Sequence, residues 1–352
     1  MAKKRKTLPK DFRELLDAGD IEALKAVYAK CEIGAYDSGY SLRTALHNYE
    51  VPDEFVRWLV EQGLDINTKD YYDRTPLFYQ MQRGNLALFL ELGADVNAKA
   101  RYGDTPLHFA ADYGTADSVR LLLERGADLE AEDDTGQTPL AYCLARCSNS
   151  AIAKIAETAE ALLSAGAKVT PGMTESVLRV GKNFEFHREN FNKDYLAATE
   201  AGLAKLYALL SMEPVARRRS HDGVSPITAS AQGWREQHQE LWEFLVPSRG
   251  AAKTVQGEVV RITGRVADEL YRNGGANWNA DYRKMLNALI RHFASGAPLP
   301  AEELAEAKEW ASGIKAKGDD EDAAIDRLSE LAVKWVLQNP GPMPLEKPDY
   351  NR

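Results

Sequence analysis

Cysteine is scarce: Cys31, Cys143 and Cys147 are the only three in 352 residues, too few and odd in number for a disulfide framework. No apolar run approaches the ~20 residues that a membrane-spanning helix needs. The opening MAKKRKTLPK is basic, but no apolar stretch of about seven residues follows it to form a signal-peptide core. These absences predict a cytoplasmic protein with no membrane partner, and the run Lys3 to Lys6 reads as a solvated tail rather than a nuclear address.

A basic surface is missing as well. Net charge is −9, and residues 1–255 (31 Lys and Arg against 37 Asp and Glu) and 256–352 (13 against 16) are both mildly acidic. Neutralising nucleic-acid phosphates takes clustered Lys and Arg. The tight internal run Arg217-Arg218-Arg219 is what one solvated loop explains, so no nucleic-acid partner is expected.

Signatures of chemistry are equally sparse. The histidines, His47, His108, His187, His221, His238 and His292, are scattered, and Cys143 and Cys147 lack a second pair to complete a tetrahedral metal site. There is no G-x-x-x-x-G-K-[ST], no G-x-G-x-x-G and no G-x-S-x-G. Phe184 to Glu189 gathers acid, base and imidazole, but a charged helix face accounts for it. The expectation is a protein without metal, cofactor or catalytic residues, and not an enzyme.

What the sequence does contain is repetition. Asp73-Arg74-Thr75-Pro76-Leu77, Gly103-Asp104-Thr105-Pro106-Leu107-His108-Phe109-Ala110 and Gly136-Gln137-Thr138-Pro139-Leu140 read alike. Each is followed by a second mark: Leu92-Gly93-Ala94-Asp95-Val96-Asn97-Ala98, Arg125-Gly126-Ala127-Asp128-Leu129-Glu130-Ala131 and Ala165-Gly166-Ala167-Lys168-Val169. Thr caps a first helix, Pro fits its first turn where no N–H partner is lost, and Gly ends a second helix in a left-handed conformation. Val119, Leu122 and Leu123 recur at the spacing of an amphipathic helix that buries one side on a neighbour.

The pattern resembles the ankyrin repeat, a unit of about 33 residues that opens T-P-L-H-x-A. Resemblance is clear over residues 70–169 and degenerate over 8–252. Thr44-Ala45-Leu46-His47 with Gly63 to Asn67 forms a short unit without the Pro, and Phe12 to Ala29 reads as a capping helix pair broken at Gly19-Asp20. The expected layout is an N-cap at 8–35, repeats near 36–69, 70–99, 100–132 and 133–169, and a degenerate stretch over 170–252 with a last copy at Asp222 to Ile227. The resemblance implies an all-α solenoid of helix pairs joined by hairpin-like turns. His47 and His108 then stand where the imidazole bonds between neighbouring turns, a structural task.

After residue 252 the marks stop and separate helices follow. Val259, Ile262, Val266 and Leu270 share a face that ends at Asn273-Gly274-Gly275; Tyr282, Leu286, Leu289 and Phe293 form a second stripe. A third helix starts after Pro300 and closes at Lys315, Lys317 and Gly318, and a fourth, begun by Asp319 to Asp322, carries Ile325, Leu328, Leu331 and Trp335. Residues 253–340 are thus a helical segment, and the Pro-rich tail 341–352 is extended, either docked or free.

A stack of helix pairs presents its turn tips and first helices as a concave face. The positions not fixed by packing in the repeats are Tyr40 and Arg43, then Tyr71, Tyr72, Arg74 and Arg83, then Arg101, Tyr102, Asp104, Asp112 and Tyr113, then Asp134 and Arg146. Tyr and Arg are enriched at interface hot spots. Resemblance to ankyrin proteins implies a protein partner held by this face, by a chain that is a monomer when free. The layout also looks like bacterial ankyrin proteins with a helical C-terminal segment, some of which act as immunity proteins beside toxins. That likeness implies steric inhibition of a toxin or enzyme. Two other readings stay open: an effector whose C-terminal helices act on a partner chosen by the repeats, and a scaffold that does not inhibit.

Overall fold

The computed structural model describes residues 3–39, 41–82, 84–314 and 321–350. Lys315, Lys317, Gly318, Asp319 and Asp320 lie outside the described residues. The chain divides into two compact units, Met1–Phe184 with Asn192–Val215 and Glu185–Phe191 with Ala216–Arg352.

The first unit opens with a strand, β1 (Arg5–Thr7), paired in parallel with β2 (Cys31–Tyr36). Parallel strands need a crossover between them. Two short helices supply it, α1 (Phe12–Ala18) and α2 (Ile21–Val27). Gly19 ends α1 in the left-handed region (φ 66°), and the Asp20 carboxylate caps α2 by accepting from the Ala23 N–H at 3.0 Å.

Four stacked repeats follow. Their second helices are α3 (Asp53–Glu61), α4 (Leu86–Glu91), α6 (Ala116–Glu124) and α8 (Ile152–Ser164). The first helices of the third and fourth repeats are α5 (Pro106–Asp112) and α7 (Pro139–Arg146). In the first two repeats, however, the first helix is a single 3-10 turn, at Ala45–His47 and Pro76–Tyr79. Chain length accounts for this. Thr44 to Gly63 and Thr75 to Gly93 are two and three residues shorter than Thr105 to Gly126, so a full helical turn is missing before α3 and α4 can begin. Phe55, Leu59, Leu77, Leu107, Val119, Leu122, Leu140, Leu144 and Leu162 are all fully enclosed between repeats. At such sites truncating Leu to Ala typically costs about 2–5 kcal/mol.

Polar bridges fix the stacking register. His108 Nδ1 accepts from the Thr105 N–H (3.1 Å) and the Thr105 hydroxyl (2.9 Å), so its Nε2 carries the proton and donates to Gln137 O at 2.9 Å in the next repeat. His47 repeats the arrangement, from Thr44 to Arg74 O at 3.2 Å. Burial holds both imidazoles below the usual histidine range, which keeps this neutral tautomer. In the second repeat Phe78 stands at the histidine position, and the buried Thr75 hydroxyl has no hydrogen-bond partner among the described residues. On the far side of the stack Asn67 bonds Gly93 O and the Asp95 N–H, and Asn97 bonds Gly126 O and the Asp128 N–H.

Beyond the fourth repeat, α9 (Pro171–His187) and α10 (Lys193–Leu209) continue the helical layer. Arg179 donates to Ala145 O at the end of α7 (2.6 Å), and Lys205 bridges Glu157 and Glu160 of α8 at 2.7 and 3.0 Å. Gly202 lets α10 approach α8 so closely that a Cβ there would stand 2.7 Å from Ala153 Cα.

The second unit contains α11 (Trp234–Leu245), α12 (Val255–Asn273), α13 (Ala280–Phe293), α14 (Ala301–Gly313) and α15 (Glu321–Gln338). Its core joins Val259, Ile262, Val266, Leu289, Phe293, Leu328, Leu331 and Trp335 with Ile227, Leu241 and Leu245. Residues 216–252, grouped above with the degenerate repeats, therefore pack here. No helix starts at Ser225-Pro226; the next begins at Trp234. The tail is docked: Gln256 donates to Asn339 O and Gly341 O and accepts from the Met343 N–H, and the Tyr350 hydroxyl bonds Glu258, itself paired with buried Arg261.

Two stability predictions follow from these polar contacts. Thr105→Val removes a made hydrogen bond and should lower unfolding free energy by roughly 1 kcal/mol, whereas Thr75→Val removes a buried hydroxyl that has no partner and should cost nothing; urea melts of the two variants separate them. His238, in α11, donates to the Thr263 hydroxyl at 2.8 Å, and burial pushes its pKa down to about 4. Because the unfolded chain protonates first, near 6.5, its stabilising contribution is complete above about pH 6.5 and is lost as pH falls toward 4. Melts between pH 7.5 and 4 should show a shallower acid loss for His238→Gln.

Candidate functional site

Four turns precede the capping threonines, each closed by a backbone bond between its ends: Asp37 N–H to Arg43 O (2.8 Å), Asp70 to Arg74 (3.0 Å), Ala100 to Asp104 (2.9 Å) and Asp133 to Gln137 (3.1 Å). Each of the last three is also tied to the turn before it. Tyr71 N–H donates to Ser41 O at 2.9 Å, Arg101 N–H to Tyr72 O at 2.9 Å, and Asp134 N–H to Tyr102 O at 3.0 Å. Buried Asp70 stiffens the second turn, its carboxylate accepting from the N–H groups of Tyr72 (2.8 Å) and Arg74 (3.0 Å) and from the Tyr79 hydroxyl (2.5 Å). Asp133 does the same for Thr135 and Gln137. Side chains on the tips thus stand on a fixed backbone.

On this base the tyrosines stand out. Tyr71, Tyr72, Tyr102 and Tyr113 keep 47, 40, 62 and 43% of their surface exposed, which large aromatic residues do only where packing leaves them out. Tyr71 and Tyr72 meet edge to face with centroids 5.3 Å apart, and Tyr113 meets Phe109 at 6.0 Å. Arginines pack among the rings. The guanidinium of Arg101 lies 4.5 Å over Tyr71 and that of Arg74 lies 4.6 Å over Phe109 and 5.3 Å from Tyr72. Arg43 covers Tyr79 at 4.6 Å and Arg146 covers Tyr142 at 4.8 Å.

These arginines also meet acids of the same face. Arg43 faces Asp70 at 3.6 Å, Arg101 faces Asp73 at 3.5 Å, and Arg146 faces Asp112 at 3.2 Å. The sequence-predicted set is therefore divided. Tyr71, Tyr72, Arg101, Tyr102, Tyr113, Asp134 and Arg146 are exposed; Arg43, Arg74 and Asp112 are half-buried. Asp104 is buried, its carboxyl held above the usual range by desolvation, against the opposing pull of His108, Tyr142 and Arg74. It supports the turn and is not offered to solvent. Tyr40 and Arg83 lie outside the described residues.

Sequence reasoning missed the residues underneath: Asp70, Asp73, Tyr79, Phe109 and Tyr142 orient the predicted set without being exposed hot-spot types. One signal was available, since Asp70 and Asp133 both stand five residues before a capping threonine. Burial pushes the Tyr79 and Tyr142 hydroxyls up to about 12, with Asp70 and Asp104 respectively adding to the shift, so both are neutral donors at neutral pH. Among the described residues no group of three or more His, Cys, Asp or Glu is placed to hold a metal ion. No helix among them is long and apolar enough to cross a membrane.

Comparison with known proteins agrees with this architecture. Residues 81–171 match a family model described as ankyrin repeats, in three copies. No curated protein matches the chain.

Asp70 is the test of whether the face is pre-set by its base. Asp70→Ala strands two backbone N–H groups and the Tyr79 hydroxyl, and should lower stability by about 2–3 kcal/mol in urea melts, while Tyr102→Ser should stay within about 0.5 kcal/mol of wild type.

Proposed function

We propose that this chain, whose residues 81–171 match ankyrin repeats, binds a protein partner through the tyrosine and arginine face of its turns. The observation that carries this is the set of exposed tyrosines, Tyr71, Tyr72 and Tyr102 on turns bonded one to the next and Tyr113 at the end of α5. Tyrosine supplies a large contact with few rotatable bonds, so little conformational entropy remains to be lost on binding. The arginines flanking them are already stacked, and Arg43, Arg101 and Arg146 are also paired with acids. Their role is to hold rings in place, and the free charge they offer a partner is small. The contribution of this face to association should accordingly depend weakly on ionic strength, in contrast to complexes steered by opposed charged patches.

The finer reading is an inhibitor of the immunity kind, which covers a working surface of a toxin or enzyme and performs no turnover. A face pre-set in this way suits a tight steric block, because ordering costs at the interface are small.

The decisive experiment compares wild type with a Tyr71→Ala/Tyr72→Ala/Tyr102→Ala/Tyr113→Ala variant in capture from the native lysate, followed by titration against the captured partner. A folded variant should lose about 2–4 kcal/mol of binding, as hot-spot removal does. Equal capture by both proteins overturns the face. Assaying the partner free and bound then separates inhibitor from scaffold: full activity in the complex rules inhibition out.

A further inference from the structure

The helical layer and the turn layer of the repeat stack end at different places. After the fourth repeat, Lys168-Val169-Thr170-Pro171 runs straight into α9, so the chain omits the residues that would form a fifth turn. Helix α10 packs on α8 and α9 bonds the end of α7, but among the described residues no turn covers residues 133–137.

The uncovered turn is shaped like one that is covered. In the third turn Tyr102 O accepts from the next turn's Asp134 N–H at 3.0 Å. Gly103, left-handed at φ 79°, forms a platform so close to that turn that a Cβ would stand 2.8 Å from Asp134 N. In the fourth turn the equivalent positions are Thr135 and Gly136. Gly136 has the same backbone conformation, φ 75°, and nothing lies within 4 Å of where its Cβ would be. Thr135 O accepts no hydrogen bond among the described residues. Glu132, Asp134, Thr135 and Gly136 are all exposed. This is an unpaired edge, a place where an extended segment can add itself by main-chain bonds.

We propose that the edge at Thr135-Gly136 receives a basic turn or extended segment of the protein partner, stacked as a fifth turn in trans. The proposal rests on the protein-binding reading above and names the partner's chemistry. Charge sets the occupant. Asp134 carries a carboxylate with no ion pair among the described residues, Glu132 carries another beside the Lys99 ammonium that donates to its carbonyl at 3.4 Å, and the sequence position of Asp134 is that of Arg101 one turn earlier. At that earlier junction Arg101 donates its N–H to Tyr72 O while its guanidinium pairs with Asp73. A Lys or Arg set on the fourth turn in the same manner would give its N–H to Thr135 O and lay its cation over Asp134, which stands at the position of Tyr71 beneath Arg101. Here, unlike on the tyrosine face, binding gains from opposite charge.

The test selects disulfide-closed hairpin peptides with randomised tips from a display library, using the full chain as bait. Selected tips should carry Lys or Arg. Glu132→Lys/Asp134→Lys, both exposed changes that leave the turn's backbone bonds in place, should weaken the selected peptides at least tenfold. N-methylating the amide of the selected basic residue, which removes the donor and keeps the charge, should weaken them similarly. Tyr72→Ala/Tyr102→Ala should leave their binding unchanged. Tips without basic residues, full binding to the charge-reversed protein, or indifference to N-methylation would each overturn the edge proposal. Peptides lost only with the tyrosine variant would overturn it while supporting the tyrosine face. The partner's loss with the tyrosine variant in the preceding experiment is read independently of either outcome.

Discussion

Everything in the repeat unit depends on one constraint: a single helix pair with its turn cannot bury its own apolar face. Leu107, Val119 and Leu122 are enclosed only because the flanking repeats lie against them, so stability comes from nearest-neighbour contacts rather than from a central core. Hydrophobic contact of this kind does not by itself define register. Register comes from polar groups that must find partners when buried. His47 and His108 reach one repeat forward to a carbonyl, Asn67 and Asn97 do the same on the other side, and the turn amides reach one turn back.

The same constraint keeps the backbone of the face fixed. Because Arg101 and Asp134 each spend their N–H on the previous turn, no tip can move without breaking a bond to its neighbour. Tyrosines mounted on such tips keep their positions without help from a ligand. Arginine stacking then adds a lateral restraint, since a guanidinium shared between Tyr71 and Asp73, or between Phe109 and Tyr72, limits the rotamers of both rings.

Much of this was legible in the sequence, and the boundary of legibility is physical. Thr-Pro at helix starts and Gly at helix ends report local conformational needs, so the repeats could be placed from residue types alone. Exposure of Tyr71, Tyr72, Tyr102 and Tyr113 followed from counting positions relative to Thr. Burial of Asp104 did not, because it depends on Tyr142 and His108 of two different helices. The 3-10 turns at Ala45–His47 and Pro76–Tyr79 were hidden for another reason: they follow from a deletion of two or three residues, and a deletion changes no residue that a motif would test. Residues 216–252 are the clearest mismatch. Asp222 to Ile227 copies the turn motif, yet Asp222 spends its carboxylate on the Val224 and Ser225 N–H groups, and Ile227 is drawn into the second unit's core, bonding Pro340 O. A local motif specifies a repeat only when a neighbouring repeat is there to receive it.

That principle also explains how the stack can end in two ways at once. A helical layer left open would expose a broad apolar face, so α9 and α10 are required over α7 and α8 on hydrophobic grounds. An open turn exposes one carbonyl, one glycine and two carboxylates, all of which water satisfies at little cost. Selection against exposed apolar surface therefore caps the helices and is indifferent to the turns. The turn layer is left as a hydrophilic edge that keeps its stacking geometry, with Gly136 in the conformation that Gly103 has under a neighbour. An edge carrying two exposed carboxylates disfavours pairing with the same edge of another copy. It discriminates instead, accepting a main-chain donor only where a positive side chain comes with it.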